Sequence, residues 1–109
     1  MSWRRALAAA GSVWLAVPGH GEPARAAPAA LYMRSLAAGC AACHGTDGHA
    51  PADAALPALA GMAAPVLIER MQAYRSGARP GTVMPQIAKG YSDAQIAELA
   101  DYFALQGRP

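Results

Sequence analysis

The chain has 109 residues, 54% of them hydrophobic and only 15% charged, so it holds one small domain at most and a multidomain enzyme is excluded. Its formal charge of +2 belongs to the first 26 residues. Beyond them, Arg34, Arg70, Arg75, Arg79, Lys89 and Arg108 are matched by Asp47, Asp53, Glu69, Asp93, Glu98 and Asp101, a balance that argues against nucleic acid as a partner because phosphate binding needs a marked excess of Lys and Arg.

Residues 1–26 read as an export signal. Arg4 and Arg5 give a positive start, Ala6 to Val17 an apolar run of about 12 residues, Pro18-Gly19 a break, and Ala24-Arg25-Ala26 a small-x-small cleavage site. The run is too short to span a bilayer, so an uncleaved anchor is the weaker reading and no membrane span is expected after cleavage. The arginine pair lacks the rest of a twin-arginine motif, which favours the general secretory route. Cleavage near Ala26 leaves residues 27–109 as a periplasmic domain, small enough that a disulfide, a metal or a cofactor is needed to complete its core.

The first helix is predicted from Pro28 to about Gly39, with Leu31, Leu36 and several alanines able to form a packed face and Gly39 loosening the chain at its end. Next comes Cys40-Ala41-Ala42-Cys43-His44, the Cys-x-x-Cys-His pattern of c-type haem attachment. Spacings of three and four put Cys40, Cys43 and His44 on one face of a helical turn. Two sulfurs so placed reach the two vinyl groups of one haem, with the imidazole behind them turned to the iron. The competing reading is a redox dithiol or a simple disulfide, but a thioredoxin-like site needs a βαβ setting and no strand-like alternation is present.

From His44 to Ala64 the composition turns to Gly, Pro, Asp and Ala with little period, which predicts a loop around a cofactor edge. Pro65 suits the first turn of a second helix through about Ser76, with Leu67, Met71 and Tyr74 on one stripe and Gly77 just past its end. Residues 80–85 are expected to be free of helix. In the last helix Ser92 and Gln95 form a capping-box pair, Ile96, Leu99, Ala100 and Phe103 repeat at helical spacing, and Gly107 ends it.

With this motif and layout, the chain resembles the class I cytochromes c over nearly the whole of residues 27–109. The resemblance implies an all-α fold, a few helices wrapped around one covalently bound haem c, with the first helix packed on the last. It also implies that Leu56-Pro57-Ala58-Leu59-Ala60-Gly61 is the proline loop, in which the Pro57 carbonyl accepts a hydrogen bond from His44; a metal-bound histidine generally donates its other ring N–H in this way. An ordinary turn proline is the alternative.

The family's second axial ligand is a methionine near the C-terminus. Met33, Met62 and Met71 suit packing, methionine's usual role, whereas Met84 in Pro80-Gly81-Thr82-Val83-Met84-Pro85 lies in a loop able to cross to the far side of the haem. His49 is too close to His44 in sequence for that role and reads as a solvated loop residue. Ligation by His44 and Met84 leaves no open position for substrate, so the implied role is one-electron transfer rather than catalysis.

Arg79 to Asp93 is similar to the methionine loop of the cytochrome subunit of flavocytochrome c sulfide dehydrogenases, which implies a flavoprotein partner that oxidises sulfide. Cytochromes c4 and c553, free periplasmic carriers, share the haem motif and the Leu59-Ala60-Gly61 turn, and a free carrier is the alternative. A small haem enzyme with open iron is a third reading. Arg70, Arg75, Arg79 and Lys89 cluster around the Met84 segment, as a basic rim for an acidic partner or simply as a solvated helix face.

Overall fold

The computed structural model describes residues 26–107. The export-signal reading of residues 1–26 lies, Ala26 apart, outside the described residues, as does Arg108. Four α-helices occur among those residues, and no strand: α1 Ala26–His44, α2 Ala64–Ser76, α3 Met84–Lys89 and α4 Asp93–Leu105, with a 3-10 turn at Thr46–Gly48. The all-α expectation holds.

Helix α1 departs from the expected boundary, since it runs without a break through Gly39 and carries the cysteine motif in its last turns. Gly39 does not loosen the helix. Its missing side chain instead gives room to Tyr91, whose hydroxyl would lie 3.3 Å from a Cβ placed there. Helix α2 has Pro65 in its first turn and ends at Gly77 in the left-handed conformation (φ 82°), which glycine adopts without a steric penalty. The Met84 segment is also corrected: it is not free of helix, because Met84 opens α3. Pro85 sits in the first turn of that helix, where its fixed φ is already helical and its missing N–H costs nothing.

Helix α4 begins as expected. Ser92 Oγ accepts from the Gln95 backbone N–H at 3.1 Å and Gln95 Oε1 accepts from the Ser92 N–H at 3.0 Å, satisfying two donors that a helix start leaves open. The helix stops at Leu105, where Gln106 turns extended, one step before the expected Gly107. Its inner face holds Ile96, Leu99 and Phe103, the largest fully buried side chains, and meets Ala37 of α1, Leu67 and Met71 of α2 and Ala88 of α3. Helix α4 thus packs on both α1 and α2, and α3 on α2. Arg75 ties α2 to the start of α4 through the Tyr91 carbonyl at 3.2 Å and the Asp93 carboxylate. The helices line a cavity whose wall includes the core residues Leu67, Met71, Leu99 and Phe103.

Candidate functional site

The cavity has a volume of 360 Å³ and draws its walls from every helix. All five sequence-predicted residues line it: Cys40, Cys43 and His44 from the end of α1, Pro57 from the long loop, and Met84 from the start of α3. Continuous helix through the motif puts both sulfurs and the imidazole on one face, as their spacing requires. Cys40 and Cys43 are not joined to each other by a disulfide. Burial pushes the Cys40 thiol above its ordinary value, with Cys43 adding to the effect. A reactive redox dithiol needs the opposite shift, toward the thiolate.

His44 is buried, and its Nδ1 lies 2.7 Å from the Pro57 carbonyl oxygen. A carbonyl only accepts, so Nδ1 carries the proton and donates it. The Nε2 lone pair is thereby left available for a metal. The loop that supplies this acceptor is pinned to the turn after the motif: the Gly48 carbonyl accepts from the N–H groups of Leu59 at 2.9 Å and Ala60 at 3.1 Å. Gly48 has φ 79°, and a Cβ there would stand 2.8 Å from the Ala60 nitrogen and 2.9 Å from Phe103, so only glycine fits this junction.

Three methionines, Met62, Met71 and Met84, share the cavity wall. The Met62 sulfur is approached by Arg70 Nη1 at 3.9 Å, and Met71 is packed into the core at 8% exposure. Met84 is half-buried at the start of α3. Met33 does not line the cavity, and His49 is exposed.

Sequence reasoning missed several contributors. Arg70 and Arg79 bring guanidinium groups to an otherwise apolar lining, and Arg79 stacks over the Tyr74 ring at 5.3 Å. Asp47 accepts a hydrogen bond of 2.5 Å from the Tyr102 hydroxyl, which holds Tyr102 above the usual tyrosine range, partial burial adding to the shift. The basic residues are visible in the sequence only as a cluster along the chain, and the Asp47–Tyr102 pair leaves no mark in local spacing.

These features fit a haem. The cavity is apolar, two thiols lie on one face, one histidine has its metal-binding nitrogen free, methionine sulfurs are at hand, and two cations suit the carboxylates of the macrocycle.

The family model described as cytochrome c oxidase, cbb3-type, subunit III matches residues 23–103. The chain is 43% identical over 70 residues to cytochrome c-554(548) of Halomonas halodenitrificans, covering 62% of this chain and 83% of that protein. It is 39% identical over 83 residues to cytochrome c4 of Pseudomonas aeruginosa, covering 76% of this chain and 41% of the relative. A third relative, the cytochrome subunit of sulfide dehydrogenase of Chlorobaculum tepidum, is 35% identical over 68 residues, covering 62% and 60%. The chain spans less than two thirds of the last two relatives' length. Motif, helical fold and relatives agree, and the chain therefore belongs to the cytochrome c family, with the class I fold, covalently attached haem c and a role in electron transfer.

Proposed function

We propose that the chain is a periplasmic one-electron relay whose iron is closed on both sides by its own residues, His44 through Nε2 and Met84 through its sulfur. Cys40 and Cys43 hold the haem as thioethers and Pro57 orients His44. The contact of 2.7 Å between His44 Nδ1 and the Pro57 oxygen carries this reading, because it fixes the tautomer that a ligand needs. Met84 is favoured over Met62, whose sulfur is engaged by Arg70, and over Met71, which serves the core. When bound, the haem supplies a one-electron ferric/ferrous couple. The inner faces of α2 and α4 exclude water from it, and two protein ligands leave no position for a substrate.

As electron donor we infer a flavoprotein that oxidises sulfide. The Arg79 to Asp93 stretch supports this, as does the relative named as a sulfide dehydrogenase subunit. Oxidising sulfide to the level of elemental sulfur releases two electrons, and a closed one-electron site accepts them only one at a time, so the two-electron step belongs on the partner's flavin. Val83 and Ile87 line the cavity and are also exposed, at 56% and 37%, and Arg79, exposed as well, lines the same cavity. Together they give an apolar rim with a cation, suited to an acidic partner surface. Among the described residues no helix is long and apolar enough to cross a membrane.

Rapid mixing tests the reading. The isolated holoprotein should show no catalytic turnover of sulfide, whereas adding a sulfide-oxidising flavoprotein should give fast, saturable haem reduction that Arg79→Glu weakens at low salt. The higher identities to cytochromes c-554(548) and c4 favour a second reading, the free carrier. Equally fast exchange with several unrelated redox proteins, without a stable complex, would select it.

A further inference from the structure

The turn after the haem motif is held in an unusual backbone state. Asp47 has φ 52° and Gly48 φ 79°, two consecutive residues in the left-handed region, of which only the glycine is at ease there. A short carboxylate side chain makes Asp47 tolerable, and that side chain is spent on one partner, accepting from the Tyr102 hydroxyl of α4 at 2.5 Å. Tyr102 therefore holds the turn from outside.

What the turn holds in its own right is the proline loop. Its Gly48 carbonyl takes the Leu59 and Ala60 N–H groups, and the next residue, Gly61, donates to the Phe103 carbonyl at 2.8 Å. Both anchors of the loop thus lead back to adjacent residues of α4, one directly through Phe103 and the other through Asp47 to Tyr102. Pro57, two residues before the first anchor, presents the carbonyl that His44 meets.

We propose that Tyr102 is a positioning residue for the axial histidine: through Asp47 and the Gly48 carbonyl it sets where the Pro57 oxygen stands, and hence how strongly His44 donates. The strength of that donation controls the basicity of the imidazole toward iron. The proposal rests on His44 being an axial ligand and goes beyond it, since neither Tyr102 nor Asp47 touches the haem pocket directly.

Variants of the haem-bound protein separate this relay from simple stabilisation. Tyr102→Phe keeps the ring and its edge-on contact with Phe103, centroids 5.3 Å apart, and removes only the hydroxyl. Asp47→Gly removes the acceptor while keeping the left-handed turn, and Asp47→Asn keeps both an acceptor oxygen and a side chain that tolerates positive φ. Proton resonance on the reduced protein then tracks the exchange of the His44 Nδ1 proton with deuterium, with the backbone amides of α4 as the reference for global opening. Tyr102→Phe and Asp47→Gly should each speed that exchange about tenfold relative to the amides, the factor associated with one lost hydrogen bond, and should shift the midpoint potential in the same direction. The double variant should go no further than either single one, and Asp47→Asn should stay close to the unsubstituted protein. Tyr102→Phe that lowers the melting temperature but leaves Nδ1 exchange and the potential unchanged would overturn the proposal, leaving the pair a purely structural contact. Absence of imidazole signals displaced by the haem ring current in the unsubstituted reduced protein would remove His44 from the iron, and the proposal with it.

Discussion

Each residue of the site has a task set by its chemistry, and substitution separates one task from another. Met84→Ala should abolish the far-red band of sulfur bound to ferric iron and let carbon monoxide bind the ferrous protein, while Met71→Ala should keep the band and lose stability, by about 2–5 kcal/mol for a buried methionine. The opposite pattern in the spectra would transfer the ligand role to Met71. Cys40, Cys43 and His44 were legible in the sequence because haem attachment needs them within one turn of helix, so the chemistry is written in local spacing. Arg70 and Arg79 were legible only as part of a basic cluster along the chain, and the Asp47–Tyr102 pair was not legible at all. Asp47 and Tyr102 stand 55 positions apart, and a contact of that range is made by packing.

At the level of elements, α4 does most to organise the molecule. It supplies the three largest fully buried side chains, and its capping box makes its start well defined. Ser92→Ala should cost about 1 kcal/mol in thermal or denaturant unfolding, with the visible spectrum unchanged at low temperature. A second prediction concerns Tyr102, whose hydroxyl is kept protonated by Asp47. A group with a raised folded-state pKa stabilises the fold fully below its unfolded value, here 10.0, and that contribution fades as pH rises through the folded value. Unfolding measured from neutral to strongly alkaline pH should show a steep loss above about pH 10, shallower in Tyr102→Phe. The amphipathic pattern exposed α2 and α4 in advance because each buries one stripe. Residues around Gly39 and Met84 were misread for a common reason: Gly and Pro mark breaks by intrinsic propensity, but here one admits Tyr91 and the other opens α3.

Considered together, the described helices pack a small core and leave an apolar cavity beside it. Without haem, the apolar cavity of 360 Å³ forfeits the packing contacts that a filled interior makes. Left wet, it exposes the same apolar lining to water. Folding should therefore be coupled to haem, in keeping with the small size of the domain. A Cys40→Ala/Cys43→Ala variant without haem should lack a cooperative unfolding transition; a compact apoprotein that melts sharply would contradict this. Acidified ketone should fail to extract haem from the denatured holoprotein, because thioethers survive unfolding.

The packing of Tyr91 against Gly39 also has a consequence in time. In the finished fold Cys40 is half-buried, close to a tyrosine that lies far downstream in the chain. A chain delivered from its N-terminus presents both thiols well before Tyr91 and α4 arrive to cover Cys40, while Cys43 stays exposed even in the finished fold. Maturation should thus have a natural order, in which attachment precedes closure and the late helix covers a bond already made. A chain truncated after Gly90 should accordingly acquire haem in the cell about as well as the full chain, yet leave its iron open to carbon monoxide.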